Sequence, residues 1–326
     1  MPKRLVLLKT WLADVLETAA FDIAPASSDA SFRRYFRVRH DAHSLIVMDA
    51  PPTQEDTAAF IHVAELLTKQ GLAAPRILAK DIRQGFLLLT DLGDMPYLQV
   101  LTEANADRLY GDALSALLRM QQMDANRLAG IPPYDHALLM QEMNLFRDWY
   151  LKKHRQQVLS PTQEQSLDDV FEQLASSALD QPVVFVHRDY HSRNLMFTEK
   201  ADPGIIDFQD AVQGPVTYDL VSLLRDCYIR WPRARVEAWA LGYLRKARQA
   251  DIVDSINDET WLRWFDWMGV QRHLKAAGIF ARLNLRDGKP GYLGDIPRTL
   301  GYVREVAGRY RELQSLLDFL PTGEPA

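Results

Sequence analysis

Three oxygen-bearing side chains, each following a short hydrophobic segment, carry the strongest chemical signal in this 326-residue chain. Asp189 and Asn194 come after residues 183–186, and Asp207 comes after residues 204–206. Magnesium prefers oxygen ligands and commonly takes one or two carboxylates together with substrate phosphates. The spacing therefore predicts a magnesium-bound nucleotide held by Asn194 and Asp207. Asp189 would be the base that takes the proton of an acceptor hydroxyl.

The reaction that suits this set is phosphoryl transfer, which depends on positioning and positive charge rather than on covalent catalysis. General-base assistance contributes about 10²–10⁴-fold, so most of the rate would come from electrostatic stabilisation. The competing interpretation is that these polar residues only cap strands and turns. Two such groups in this order, each after a predicted strand, favour the catalytic interpretation.

The motifs around these residues are specific. Residues 187–194 read His-Arg-Asp-Tyr-His-Ser-Arg-Asn, which matches the kinase catalytic loop, and Asp207 begins a segment that starts like D-F-G. With His191 the loop has the form H-x-D-x-H-x-x-N, and the chain resembles the aminoglycoside phosphotransferase-like (choline-kinase-like) superfamily of small-molecule kinases. The resemblance runs from the loop at Ser27 to the C-terminal helices. It implies ATP and Mg²⁺ as cofactors and an α+β, bilobal, protein-kinase-like fold.

The same resemblance implies residues that support the catalytic loop. His187 and Arg188 would be structural members of the loop. Asp219, at the start of a predicted helix, would buttress it from below. The alternative for Asp219 is an ordinary acidic residue at a helix N-terminus, where the helix dipole favours negative charge.

The elements that must position these groups form two parts. The chain predicts an N-terminal nucleotide-binding lobe over residues 1–92 and a larger, mainly helical catalytic and substrate-binding lobe over residues 93–326. In the first, an amphipathic helix precedes strands and one further helix. Its predicted strands are 32–39, 44–48, 77–79 and 85–89, with the helix at 53–70 and a polar loop at 26–31. The second lobe has predicted helices at 105–123, 136–156 and 162–179, short strands at 183–186, 195–197 and 204–206, and helices again from residue 218.

Nucleotide contacts are predicted in two segments of the first lobe. Met48 stands where kinases of this fold carry a phosphate-binding lysine, and the phosphate loop has no glycine. An arginine fork suits phosphate oxygens, so Arg33 or Arg34 would supply the missing charge. The alternative is that both are solvated charges at a strand edge. The full set of predicted nucleotide contacts is Ser31, Arg33, Arg34, Leu89, Thr90, Asp91 and Leu92.

The acceptor pocket is predicted in the helical half. Between residues 271 and 298 the chain has six cations and two acids, which suits an anionic acceptor better than a polycationic antibiotic. The alternative is a solvated basic helix face, which explains most charge runs. The predicted substrate-binding residues are Glu142, Arg147, His191, Arg272 and Lys275.

A narrower likeness concerns residues 31–38, 48–52, 271–275 and 278–283. These segments are similar to the bacterial cell-wall-recycling sugar kinases, which phosphorylate the anomeric hydroxyl of N-acetylmuramate and N-acetylglucosamine. The likeness implies the same reaction here. Two alternatives stay open: another small-molecule kinase of the superfamily acting on an amino alcohol, another sugar or an antibiotic, and a nucleotide-binding pseudokinase, which the missing lysine motivates.

Composition narrows the class of protein further. The net charge is −5 and the basic residues are dispersed, so no nucleic-acid partner is expected. The single cysteine, Cys227, permits no internal disulfide and suggests a reducing compartment. Lys9 interrupts the first apolar run, which argues against a signal peptide, and no run is long enough to span a bilayer. We therefore expect a cytoplasmic protein with a sugar substrate and no obligate protein partner.

Overall fold

The computed structural model describes residues 2–27, 32–198, 203–254 and 256–321. In chain order its first elements are α1 (Pro2–Leu16), β1 (Asp22–Ser27), β2 (Arg34–His40), β3 (His43–Asp49), α2 (Ala58–Lys69), β4 (Ile77–Asp81), β5 (Phe86–Thr90) and α3 (Tyr97–Val100). The remaining elements are α4 (Ala106–Gln121), α5 (His136–Leu145), a π-helix (Phe146–His154), α6 (Pro161–Leu179), β6 (Val183–Val186), β7 (Leu195–Met196), β8 (Gly204–Ile205), β9 (Val212–Pro215), α7 (Tyr218–Leu224), α8 (Arg233–Gln249), α9 (Asp258–Asp287), a 3₁₀ helix (Pro290–Asp295), α10 (Ile296–Ala307) and a 3₁₀ helix (Arg311–Phe319).

The chain divides into two compact units. One comprises Met1–Val100 with Leu195–Asp210, and the other comprises Leu101–Asn194 with Ala211–Ala326. The first unit contains a five-stranded antiparallel sheet and the second is mainly helical, which confirms the predicted fold class. The functional boundary predicted after Leu92 stays a prediction.

The sheet of the first unit has the strand order β1-β2-β3-β5-β4. Helix α1 covers one of its faces, where Leu8 and Leu12 are fully buried against a core that includes Val38, Val47 and Phe86. The predicted amphipathic first helix is therefore confirmed, since its apolar stripe is the face that meets the sheet. The β2–β3 hairpin is also confirmed, with His40 paired to His43 across a tight turn.

Two predictions in this unit were wrong in their bounds. Strand β1 extends to Ser27, into the predicted loop, and a bulge between Pro25 and Ser27 accommodates the proline on this edge strand. Helix α2 begins at Ala58 rather than at residue 53, because Asp56 accepts the amide hydrogen of Ala58. Glu55 instead accepts the amide hydrogen of Phe32.

Helix α9 is the main structural element of the second unit. Its 30 residues begin after Asn257, whose side chain accepts the amide hydrogen of Thr260, and end at Gly288, which has a left-handed backbone. The helix ends there because glycine is the residue type that adopts this conformation without strain. Helices α5, α6, α7, α8 and α10 and the π-helix all contact α9.

The sequence did not reveal two features of this unit. The helix predicted over 136–156 turns from α to π geometry at Phe146, a change that local propensity does not encode. Strand β9 contains Gly214 and Pro215, which weaken any strand signal, yet it pairs with β6 along its whole length. Within the described residues, no helix is long and apolar enough to cross a membrane.

Candidate active site

The catalytic loop begins directly after β6 and carries its functional groups on a constrained backbone. Arg188 has φ of 75°, a left-handed conformation that costs a residue with a side chain about 1–3 kcal/mol. Two hydrogen bonds to one backbone carbonyl close the turn that follows it. The amide hydrogen of His191 and the side-chain Nδ2 of Asn194 both reach the carbonyl oxygen of Asp189, each at 3.0 Å.

Two buried carboxylates hold this loop in place. Asp219, at the start of α7, accepts the amide hydrogens of His187 at 2.6 Å and Arg188 at 3.0 Å. Asp226, just past the end of α7, accepts the amide hydrogen of Ser192 at 3.0 Å and the Ser192 hydroxyl. The loop is therefore anchored at its start and in its middle by the two ends of one short helix.

Sequence reasoning singled out Asp219 and missed Asp226. The two acids are seven residues apart, a spacing that would place them on the same side of a continuous helix, although α7 ends at Leu224. That spacing was the available signal. It is weak by itself, because acidic residues at this spacing are common on solvated helix faces.

Burial dominates the electrostatics beneath the loop. It raises the pKa of Asp219 to about 7, against the opposing effect of the amide hydrogen bonds from His187 and Arg188. This carboxyl therefore changes protonation near neutral pH, whereas an exposed aspartate would not.

Asp189 is half-buried and behaves differently. Burial alone would raise its pKa, but interactions with Lys275 first, and then with His191 and Arg272, oppose this effect and hold the pKa below its ordinary value. Asp189 is consequently an ionised carboxylate at neutral pH, the form that a proton acceptor requires.

Glu142 is the centre of a buried polar network in the second unit. Its carboxylate contacts the Arg188 guanidinium and lies 2.9 Å from the Lys275 ammonium. The Tyr134 hydroxyl also donates to it, and Gln271 Nε2 donates at 3.3 Å. Glu142 thus aligns a loop arginine and a helix lysine, and contact between Glu142 and an acceptor stays a prediction.

The other predicted substrate-binding residues are not all in one place. The ion pairs of Arg147 are with α6, where it pairs with Glu164 at 3.3 Å and Asp168, and it also lies over the Phe171 ring. The structure does not bring Arg147 to the catalytic loop.

His191, Arg272 and Lys275, by contrast, are near the loop. Burial lowers the pKa of His191, so its imidazole is neutral, and its ring meets the Tyr228 ring edge-on at 5.4 Å.

In the first unit, the predicted phosphate-binding arginines have carboxylate partners. Arg33 lies 3.4 Å from Glu55, and Arg34 contacts the buried Asp49, which also binds Arg4 at 2.6 Å. Met48 is fully buried in β3. Ser31 lies outside the described residues. A phosphate contact from either arginine stays a prediction.

In segment 89–92, the side chains of Leu89, Thr90 and Asp91 contact other residues of the first unit. Leu89 is buried in β5, and Thr90 Oγ1 accepts the amide hydrogen of Arg76 at 2.9 Å. Asp91 accepts from the Arg37 guanidinium at 2.6 Å and from the Ser44 hydroxyl. A nucleotide contact here would therefore involve the backbone more than these side chains.

Asp207, also in the first unit, has a left-handed backbone with φ of 64°. Its Oδ1 accepts from Gln209 Nε2 at 2.8 Å, so the glutamine that replaces the glycine of D-F-G orients this carboxylate. The next residue, Phe208, is fully buried and packs on Phe60 with ring centroids 4.9 Å apart. A non-glycine residue held in this conformation by packing is typical of functional sites.

The donor chemistry of Asn194 and Asp207 fits magnesium. Asn194 uses Nδ2 to donate to the Asp189 carbonyl, which assigns the acceptor role to its amide oxygen. An amide oxygen and a carboxylate are hard ligands, the type that Mg²⁺ prefers. The structure offers neither a thiolate nor an imidazole in these two positions.

The family follows from this combination of fold and loop. A sequence profile of the phosphotransferase enzyme family matches residues 22–265, and the chain belongs to that family. Three bacterial relatives, each bearing the name N-acetylmuramate/N-acetylglucosamine kinase, match nearly the whole chain. The Pseudomonas aeruginosa protein is 50% identical and the match covers 95% of this chain and 92% of the relative. The Pseudomonas putida protein is 46% identical, with 96% and 94% covered, and the Neisseria meningitidis protein is 41% identical, with 98% and 95% covered.

Solved structures show the same fold at low identity. A putative aminoglycoside phosphotransferase from Ralstonia eutropha superposes with a TM-score of 0.64 at 12% identity, covering 96% of this chain and 98% of that one. An ethanolamine kinase from Plasmodium vivax superposes with a TM-score of 0.61 at 11% identity, covering 89% and 85%. An ADP-bound aminoglycoside phosphotransferase gives a TM-score of 0.58 at 15% identity, covering 91% and 97%.

Proposed function

We propose that this chain is an ATP-dependent kinase that phosphorylates the anomeric hydroxyl of N-acetylmuramate and N-acetylglucosamine. The observation that carries the proposal is the identity of 41–50% to three kinases named for these two sugars, over nearly the full length of both chains. The catalytic loop supports it, because its aspartate is ionised and its backbone is held by two buried acids.

Each loop residue has a role in the proposed reaction. Asp189 takes the proton of the acceptor hydroxyl as the sugar oxygen attacks the γ-phosphorus. The bond from that phosphorus to the bridging oxygen of the β-phosphate breaks, so that ADP leaves. Asn194 and Asp207 are the proposed metal ligands, and a bound Mg²⁺ would neutralise phosphate charge. His187, Arg188 and Asp219 position the loop.

The proposed setting is the cytoplasm, where ATP is available. A lone, buried cysteine suits a reducing compartment and needs no disulfide for stability. The proposed partners are the nucleotide and the sugar alone.

An ADP-release assay with a panel of acceptors tests this proposal. The panel contains N-acetylmuramate, N-acetylglucosamine, choline and an aminoglycoside, each with ATP and Mg²⁺. We expect turnover with the two sugars and an acid-labile product, since anomeric phosphates hydrolyse in acid whereas a phosphate at the six position does not. Turnover with the aminoglycoside but with neither sugar would contradict the proposal. Nucleotide binding without any turnover would identify a pseudokinase.

A further inference from the structure

Arg272 on α9 is a buried cation without a carboxylate partner. Its side chain is 6% exposed, and among the described residues no carboxylate oxygen lies within ion-pair distance of the guanidinium. Its one hydrogen-bond contact is weak, from Nη1 to the Cys227 sulfur at 4.0 Å, and its Nε has no partner.

This state is energetically unusual. Burying a charge without a partner costs several kcal/mol, so buried arginines are normally ion-paired. Lys275, less than one turn further along the same helix, follows that rule. Its ammonium lies 2.9 Å from the Glu142 carboxylate and 3.0 Å from the Tyr218 hydroxyl. The fold therefore provides a partner for one cation and none for its neighbour.

The surroundings of Arg272 belong to the proposed active site. The charge of Arg272 helps to lower the pKa of Asp189. In turn, Cys227, Tyr218 and Asp189, in decreasing order, raise the pKa of Arg272. Arg272 also helps to lower the pKa of His191. The Nδ1 of that imidazole is buried, without a hydrogen-bond partner among the described residues. Among the described residues, Arg272 Nε on α9 and His191 Nδ1 in the loop itself are thus both without a hydrogen-bond partner.

A purely structural explanation is that Arg272 balances the charges of Asp189 and Asp226. Both carboxylates influence its pKa, yet neither comes within ion-pair distance. Asp226 has partners of its own in the amide hydrogens of Ser192 and Tyr228. A structural counter-charge would be expected to contact at least one carboxylate directly, because the interaction weakens with distance.

We propose that Arg272 binds the carboxylate of the acidic acceptor sugar and is the residue that distinguishes N-acetylmuramate from N-acetylglucosamine. The proposal rests on the proposed function, since it assigns a specificity residue within that site. N-acetylmuramate differs from N-acetylglucosamine by a lactyl ether that carries a carboxylate. A guanidinium can hold a carboxylate through two parallel hydrogen bonds, and only the acidic sugar offers one.

Steady-state kinetics of Arg272→Gln with both sugars test the assignment. We expect the KM for N-acetylmuramate to rise about 10- to 100-fold, the usual effect of losing a hydrogen bond between charged groups. The KM for N-acetylglucosamine should change less than about 3-fold, because that sugar has no group for the guanidinium to bind. Any fall in kcat that follows from losing a positive charge near Asp189 should be the same for both sugars. The conservative Arg272→Lys variant should restore part of the affinity for the acidic sugar.

A change in the substrate provides a second, independent measurement. The primary amide of N-acetylmuramate has nearly the same shape as the acid and no charge. The unaltered protein should bind this amide about 10- to 100-fold more weakly than the acid, whereas Arg272→Gln should not distinguish the two. Even if Arg272→Gln does not fold, equal binding of acid and amide by the unaltered protein would overturn the assignment.

Arg282→Gln is the matched control. Arg282 lies on the same helix and its Nε also lacks a partner, but its pKa responds to Arg286 and Asp287 rather than to the catalytic loop. This variant should keep the preference for the acid over the amide.

Three outcomes would overturn the assignment of Arg272. They are an equal rise in KM for both sugars, an Arg272→Gln protein that still prefers the acid to the amide, and an unaltered protein that binds acid and amide equally. Failure of the proposed function looks different, because the unaltered protein would then phosphorylate neither sugar.

Discussion

The pKa values of two aspartates at the catalytic loop are shifted in opposite directions, and burial alone does not explain the difference. Cations keep Asp189 ionised although it is half-buried. Asp219 has no cation in contact, and burial raises its pKa to about 7 even though two amide hydrogens point at it. The smaller depth of Asp189 and the positive charge of Lys275 near it therefore both separate the proposed base from the fully buried Asp219.

The Asp189→Asn variant tests the base at this scale. The amide cannot accept the proton, so we expect kcat to fall about 10²- to 10⁴-fold. Nucleotide affinity should change little, because Asp189 is not a proposed nucleotide or metal ligand. Rapid-mixing kinetics and calorimetric titration with a nucleotide measure the two effects. A kcat within threefold of the unaltered protein would show that another group takes the proton.

Asp219 predicts a pH dependence of catalysis. As the pH falls through about 7, the folded protein protonates this carboxyl and weakens its hold on the His187 and Arg188 amides. We expect kcat to decline on the acid side of pH 7 because the loop loses its alignment. Asp219→Asn should lower the plateau and remove this limb from the pH profile. Persistence of the same limb in the variant would assign the titration to another group.

At the scale of elements, α9 is both a scaffold and a source of site residues. Gln271, Arg272 and Lys275 come from one stretch of this helix, and its position depends on close contact with the junction of α5 and the π-helix. Gly278 makes that contact possible. A Cβ atom at this position would lie 2.3 Å from the carbonyl carbon of Leu145, a backbone atom that cannot move aside.

Gly278→Ala should therefore destabilise the protein although alanine is the better helix former. Overpacking of this kind costs about 1–3 kcal/mol, more than the gain of about 1 kcal/mol in helix propensity. Gly242→Ala in α8 is the control, because the added methyl group would meet only the flexible end of Arg245 at 3.6 Å. Urea unfolding should show opposite signs for the two variants. A gain in stability for both would mean that α9 shifts without cost.

At the scale of the whole molecule, buried ionisable groups link stability to pH. His273 stacks on Tyr302 and donates from Nε2 to the Arg225 carbonyl oxygen at 2.8 Å. Burial lowers its pKa to about 3, from an ordinary value of 6.5. Below pH 6.5 the unfolded chain therefore binds a proton at His273 that the folded chain does not bind. The contribution of His273 to stability is consequently lost as the pH falls from 6.5 towards 3.

His273→Gln should remove this dependence while retaining a donor for the carbonyl. Between pH 6.5 and 4.5, the difference in unfolding free energy between the unaltered protein and the variant should shrink by about 1.4 kcal/mol per pH unit. Comparing the two proteins cancels the opposite contribution of Asp219, whose raised pKa makes the folded state relatively more stable at lower pH. Urea unfolding at three pH values measures this difference. A difference that stays constant with pH would show that His273 titrates normally in the folded protein.

The sequence alone was sufficient for the local features of this protein. Four features depend only on neighbours along the chain. They are the periodicity of α1, the β2–β3 hairpin, the end of α9 at Gly288 and the loop motif containing Asp189 and Asn194. Short-range sterics and hydrogen bonding determine such features, so each can be derived from a window of about 20 residues. The fold class and the type of chemistry followed from their order.

Only the tertiary structure decided which polar groups satisfy one another. Arg188 meets Glu142 from 46 positions away, and Ser192 meets Asp226 from 34. Lys275 meets Glu142, while Arg272 meets no carboxylate in the part of the chain that the structure describes. These pairings depend on how helices pack, and one sequence pattern is compatible with many such arrangements. Short motifs along the chain therefore identify the residues that could do the chemistry. The charge each of them carries is set by neighbours that only folding brings together.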